Sequence, residues 1–151
     1  MFAALADPAL YEFIDERPPV SVEALRDRFA RSESRKSPDG AEHWLNWVVR
    51  GASREVAGYV QATVEASLET NVAYMFGKMH WGRGLATQAV SRMLDMVASE
   101  FGVTRFFIVA ERANPRSIRV AERLGFAEAP AALAARKGIA ATEVLMQKFL
   151  P

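Results

Sequence analysis

Residues Asn71 to Ala110 constrain this chain most, because they read without a break as strand, glycine-rich loop, amphipathic helix and strand. The run NVAYMFG is apolar and β-prone, and GKMHWGRG then places Gly77, Gly82 and Gly84 within eight residues. A helix is expected from about Leu85 to Glu100. Its Ala86, Ala89, Val90, Met93, Leu94 and Val97 form one stripe, with Gln88, Arg92, Asp95 and Ser99 opposite. RFFIVA, Arg105 to Ala110, reads as a short buried strand. Two strands joined by one helix share a sheet only if they run parallel with a right-handed crossover.

The flanking segments fit round this unit. Asp7 before Pro8 is a helix-start signal, predicting a short helix to about Ile14 that "RPP" breaks. Ser21 can cap a second helix bearing Val22, Leu25 and Phe29 on one side. The polar stretch Arg31 to Gly40 ends in the turn sequence SPDG. HWLNWVV and VAGYVQATV then read as strands that form a meander with the third, NVAYMFG. Asn114 and Pro115 open a helix that Gly125 closes in a left-handed cap, with Phe126 folding back on it. An Ala/Pro-rich connection leads to a last strand, roughly Glu143 to Phe149. The order predicts one domain over residues 1–151 of the α/β (α+β) class, with a mixed, mostly antiparallel sheet flanked by helices.

Several functions are excluded early. The chain has no cysteine, which rules out disulfides, thiolate metal sites and cysteine nucleophiles. Two histidines are too few for a His-rich metal site, so no metal is expected. A net charge of +1 argues against a nucleic-acid or membrane footprint. The start MFAALADPAL lacks the basic region of a signal peptide, and a cytoplasmic location is expected by default.

The glycine loop has two readings. Its glycines can serve only as turn residues with positive φ. Alternatively Gly82, Arg83, Gly84, Leu85, Ala86 and Thr87 form an anion cradle, since the first N–H groups of a helix have no intrahelical partner and its dipole favours negative charge. The setting between strand and helix favours the cradle. A Walker A loop would need Gly-Lys followed by Ser or Thr where Arg83-Gly84-Leu85 stands, and the dinucleotide fingerprint would need glycine at Thr87.

WGRGLA, Trp81 to Ala86, resembles the acyl-CoA-binding signature of the GNAT family of N-acetyltransferases, Arg/Gln-x-x-Gly-x-Gly/Ala. NPRSIRVAERLGF, Asn114 to Phe126, is similar to a second signature of that family, especially in the branch that acetylates ribosomal-protein N-terminal alanines in bacteria. The resemblance covers nearly the whole chain and implies the acyl-CoA N-acyltransferase fold, with a splayed parallel strand pair. Trp81 departs from the usual Arg/Gln, a replacement that looks tolerated in this branch because neighbouring amides bind the pyrophosphate. The family's usual first strand is missing ahead of the first helix, which suggests either a shortened start or an open sheet edge that invites a homodimer.

The resemblance implies acetyl-CoA as cosubstrate and a primary amine as acceptor, a protein N-terminus or a small molecule. Direct attack in a ternary complex is then the simplest scheme, because no cysteine can carry the acyl group. It lays the pantetheine arm and acyl carbonyl against the strand holding Met75 and Phe76, and the pyrophosphate on the amides of Gly82 to Thr87. Asn114 is explained as a helix cap and by resemblance also faces the pantetheine arm. Ser117 is either an ordinary first-turn residue or the group that protonates the leaving thiolate. Glu111 is either a surface carboxylate or the base, with water-mediated deprotonation equally open. Tyr74 is expected in the core and His80 in a solvent-facing loop. Arg119 and Arg123 are expected to solvate their helix, and Arg31 to Gly40 with the two leading helices to line the acceptor side. The alternative is a non-catalytic acyl-CoA sensor of the same fold.

Overall fold

A computed structural model describes residues 1–151. In chain order the elements are α1 (Phe2–Leu5), a 3-10 turn (Pro8–Tyr11), α2 (Val22–Ala30), β1 (His43–Arg50), β2 (Val56–Val64) and β3 (Glu69–Phe76). A second 3-10 turn (Lys78–His80) precedes α3 (Leu85–Phe101), β4 (Arg105–Glu111), α4 (Pro115–Arg123), β5 (Ala127–Glu128), α5 (Ala131–Arg136) and β6 (Glu143–Phe149). The strands form one sheet in the order β1-β2-β3-β4-β6-β5, antiparallel except between β3 and β4. The mixed, mostly antiparallel sheet of the sequence reading is thus present, with its parallel pair on either side of α3. No helix is long and apolar enough to cross a membrane.

Local chemistry sets most boundaries. Ser21 Oγ accepts from Ala24 N at 3.1 Å and starts α2, as expected. Asp7 accepts from Ala9 N at 2.9 Å, but it caps a 3-10 turn ending at Tyr11 rather than a helix to Ile14. The Tyr11 hydroxyl instead donates to the Leu5 carbonyl at 2.9 Å, tying the turn back to α1. Gly125, at φ +81°, ends the α4 segment, and Phe126 N reaches back to Ala121 O at 3.0 Å. Phe126 is buried, completing the capping motif. The short elements α1, β5 and α5 were not anticipated.

Strand alternation gives the sheet two faces. Val60, Val72, Phe76, Phe106, Ile108 and Met146 share the main core with Val90, Met93, Leu94 and Val97 of α3. Each such side chain contributes roughly 1.5–3 kcal/mol on burial, so the α3 stripe is what fixes that helix on the sheet. On the opposite face, Tyr59 meets Leu5 and Leu25, and Phe107 and Leu145 meet Leu133 of α5.

The sheet is two well-paired halves joined by a short seam. β2–β3 and β4–β6 each pair over seven residues, whereas β3 and β4 pair only at Glu69–Arg105, Thr70–Phe106 and Asn71–Phe107. Beyond these rungs the strands part, giving the splay implied by the family resemblance. An ionic cluster clamps the seam: Glu69 takes Arg105 Nη1 at 2.9 Å and Lys137 Nζ at 2.6 Å. Arg105 stacks between Phe107 and Phe149, at 4.8 and 5.2 Å from the ring centroids.

β1 is the first strand in the chain and lies at the sheet edge. The segment Arg35–Lys36 covers only its start, through the Lys36–His43 bridge and Trp44 N to Arg35 O at 2.9 Å. The stretch Arg31 to Gly40 is therefore a cover for β1, and none of it reaches the cavity between β3 and β4.

Candidate active site

The split between β3 and β4 opens into a cavity of about 540 Å³. Of the sequence-selected residues, Met75, Phe76, Gly82, Gly84, Leu85, Ala86, Thr87, Glu111, Asn114 and Ser117 all line it, while Arg83 stands exposed outside.

The loop before α3 leaves its main chain open. Gly82 and Gly84 have φ of +72° and +76°, in the left-handed region that glycine favours. A Cβ at Gly82 would meet nothing within 4 Å, and one at Gly84 only Gln88 Nε2 at 3.8 Å. The space over the backbone is open. α3 has neither a side-chain cap nor an acidic residue in its first turn, so its positive end is uncompensated. None of the six amides from Gly82 to Thr87 has a hydrogen-bond acceptor within the chain. Such a run of free donors fits a phosphate group.

Main-chain groups also face the split along β3. Gly77 N bonds Ala57 O at 2.9 Å, so by antiparallel alternation the odd residues of β3 are bonded to β2. Met75 is one of these, paired with Tyr59, and its sulfur lies 3.9 Å from the Tyr59 hydroxyl on the opposite face. Tyr74 and Phe76 turn their peptide groups toward the gap instead. The Phe76 carbonyl is already held by the Trp81 indole N–H at 2.7 Å, which secures the glycine loop to the strand.

Tyr74 does more than pack. Its hydroxyl crosses the gap to the first turn of α4, 3.0 Å from Ser117 O and 2.9 Å from Ser117 Oγ. Burial pushes the Tyr74 hydroxyl pKa up, against a smaller lowering from the Ser117 bond, so this phenol stays protonated at neutral pH. Asn114 Oδ1 accepts from Ser117 N at 3.2 Å, so the capping role is real and it fixes Ser117 in place. Glu111 Oε1 lies 3.4 Å from Thr142 Oγ1, at the end of β4.

Charges on the lining are segregated. The cationic side chains Arg116, Arg119 and Arg123 all come from α4, and the anionic ones, Glu16, Glu111 and Glu143, from elsewhere. Arg119 and Arg123 thus border the cavity rather than merely solvating their helix. Arg116 stacks on Trp81 at 4.1 Å from the ring centroid and approaches Glu12 at 3.7 Å.

Residues 1–127 match the family model described as the acetyltransferase (GNAT) domain. The chain belongs to the GNAT acetyltransferase family. Among solved structures, a GNAT-family acetyltransferase from Bacillus anthracis aligns over 99% of this chain and 86% of its own, with TM-score 0.75 at 15% identity. Spermidine N-acetyltransferase from Vibrio cholerae, in complex with CoA and spermine, aligns over 99% and 86% with TM-score 0.71 at 16% identity. AAC(6')-Ib in complex with ribostamycin and coenzyme A aligns over 98% and 85% with TM-score 0.73 at 16% identity. At such identities the likeness is one of fold. The uncharacterized protein YkkB of Bacillus subtilis (strain 168) is 30% identical over 99 residues, 54% of this chain and 58% of the relative. The match therefore spans less than two thirds of that relative's length.

Against this GNAT frame, three features escaped sequence reasoning. His80 is buried, 7% exposed, with Nδ1 3.9 Å from Glu55 and Nε2 without a partner, not a solvent-facing loop residue. Its place in the glycine-rich loop concealed this. Arg31 to Gly40 and Val22–Ala30 are absent from the cavity wall, which the first leading segment, Ala9 to Glu16, lines as expected. The Tyr74–Ser117 contact joins residues forty-three apart and left no local signal.

Proposed function

We propose that residues 1–151 act as one catalytic domain that transfers the acetyl group of acetyl-CoA to a primary amine, by direct attack in a ternary complex. The observation that carries this reading is the run of unpartnered amides from Gly82 to Thr87 at the mouth of a split sheet. Family membership and the fold shared with CoA-bound acetyltransferases support it.

Acetyl-CoA supplies an activated thioester, and the chain's own groups do the rest. The loop amides hold the pyrophosphate, with the α4 arginines adding positive potential. The main-chain amide of Phe76 is available to an acyl oxygen in the split, a fixed donor of the kind that stabilises developing negative charge. Glu111 takes the proton released by the amine, directly or through water. Ser117 Oγ protonates the departing thiolate and takes the Tyr74 phenol proton in the same step, and water then returns a proton to the phenol, which rests in its protonated form. Asn114 positions Ser117 by capping its helix.

The acceptor is a protein N-terminus or a small amine. The NPRSIRVAERLGF motif favours the first, while the spermidine and aminoglycoside acetyltransferases that share the fold favour the second. The open edge of β1 is the surface on which a second copy would pair. Release of free CoA thiol on adding an amine to chain and acetyl-CoA tests the whole reading. Binding of CoA without thiol release from any amine would instead establish a non-catalytic acyl-CoA sensor.

A further inference from the structure

We infer that the acceptor is an amphipathic monoamine, one ammonium joined to an apolar body, rather than a polyamine or an aminoglycoside. The inference rests on the acetyl-transfer reading and adds the acceptor's chemistry to it.

Few lining groups remain free to meet a cation. Glu16 borders the cavity, but its Oε2 is held by Arg28 Nη2 at 2.6 Å, so its charge is already matched. Tyr59 is neutral as well, because burial pushes its hydroxyl up to about 12. Glu111 and Glu143 remain without a cationic partner, each keeping one oxygen free while Glu111 Oε1 meets Thr142 Oγ1 at 3.4 Å and Glu143 Oε2 accepts from Ala140 N at 3.0 Å. They are direct cross-strand partners on β4 and β6, and by strand alternation they share the face that carries Phe107 and Leu145. Like charges placed opposite each other destabilise a sheet, and one ammonium between them relieves the repulsion. That makes a single cation station.

The wall away from this station is apolar. The segment after the Pro8–Tyr11 turn brings Phe13 and Ile14 to the cavity beside Leu10, and Ile14 is 41% exposed. A second or third ammonium would have to lose water against these side chains with no carboxylate to meet it, which is costly. An alkyl or aryl group there gains instead, at roughly fourfold in affinity per buried methylene. The α4 arginines on the cofactor side repel additional positive charge.

The test measures CoA-thiol release at saturating acetyl-CoA with methylamine, hexylamine, spermidine and a short peptide bearing a free N-terminal leucine. The kcat/KM for hexylamine should exceed that for methylamine by at least tenfold, and spermidine should fall below hexylamine. The peptide arm separates the two sources of the same chemistry: a rate above hexylamine assigns a polypeptide N-terminus, a lower rate a free amine, and both uphold the inference. Ile14→Asp, at an exposed position, should lower the hexylamine-to-spermidine ratio while leaving the thermal shift with CoA intact. Spermidine matching or surpassing hexylamine, or an unchanged ratio in the variant, overturns the inference while the acetyl-transfer reading stands. Failure of CoA to shift the midpoint, with no thiol released from any amine, overturns that reading and this inference with it.

Discussion

The Tyr74 hydroxyl lies 2.9 Å from Ser117 Oγ, joining the middle of β3 to the first turn of α4 across an unpaired gap in the sheet. The phenol has one proton: donated to the Ser117 carbonyl at 3.0 Å it leaves the serine hydroxyl donating to the phenol oxygen, and turned to Ser117 Oγ it frees the serine proton for the gap.

Ser117→Ala should lower kcat by about 100-fold, the lower range for loss of a general acid, and leave CoA affinity unchanged. Tyr74→Phe should lower kcat in the same direction, and the double variant should cost less than the sum of the two because the groups act as a unit. Steady-state rates paired with CoA titrations check this. Unchanged turnover in Ser117→Ala removes that residue from the mechanism.

CoA binding should depend on backbone more than on side chains at the glycine loop. Saturation at 100 times the dissociation constant adds about 2.7 kcal/mol and raises the melting midpoint by several degrees. Gly84→Val should abolish this shift, since valine is strained at φ +76° and its branches enter the phosphate's space. Arg83→Ala should only weaken it, because Arg83 lies outside the cavity lining. Equal losses in the two variants would count against a main-chain cradle.

The seam clamp should make stability acid-sensitive. The hydrogen bond from Lys137, with Coulombic help from Lys137 and Arg105, holds the Glu69 carboxyl below its ordinary value of 4.5, against a smaller rise from burial. A lowered folded pKa means that the contribution is complete above the unfolded value and is lost as pH falls through the folded one. Thermal midpoints measured from pH 7 down to pH 3 should therefore fall more steeply in the parent than in Glu69→Gln. At pH 7 that variant should be less stable by about 1–2 kcal/mol. Identical slopes would show that Glu69 does not hold the seam.

At the alkaline end, Tyr59 should act in the opposite sense. Burial raises its pKa from 10.0 to about 12, so its contribution holds below pH 10 and is lost as pH rises through 12. Tyr59→Phe should flatten the fall in melting midpoint over that interval. A fall as steep as the parent's would place the alkaline sensitivity elsewhere.

Legibility in the sequence tracked the range of the interactions. Caps at Ser21, Asn114 and Gly125 act over a few residues, and each was found where side-chain chemistry put it. Val56–Val64 and Glu143–Phe149 were readable because their run of apolar and β-branched residues is long enough to show. Phe2–Leu5 and Ala127–Glu128 are too short for any period to register, and the alanines of α5 do not distinguish helix from connection. The open glycine loop with its positive-φ turns was legible because glycine spacing is local. The wall opposite it was legible in part: the first leading segment, Ala9–Glu16, lines the cavity as expected, whereas the distance of Arg31 to Gly40 from it and the burial of His80 beside Glu55 depend on tertiary packing.

A fully zipped sheet has no vacancy for a guest. By leaving Val72 to Phe76 without rungs on one side, the chain keeps peptide groups in reserve, and in the proposed reaction a visiting molecule would supply the absent ladder. Recognition written in peptide groups is spared by most substitutions, since every residue type carries the same carbonyl and all but proline the same amide. The same fold is kept in a chain only 15% identical to this one.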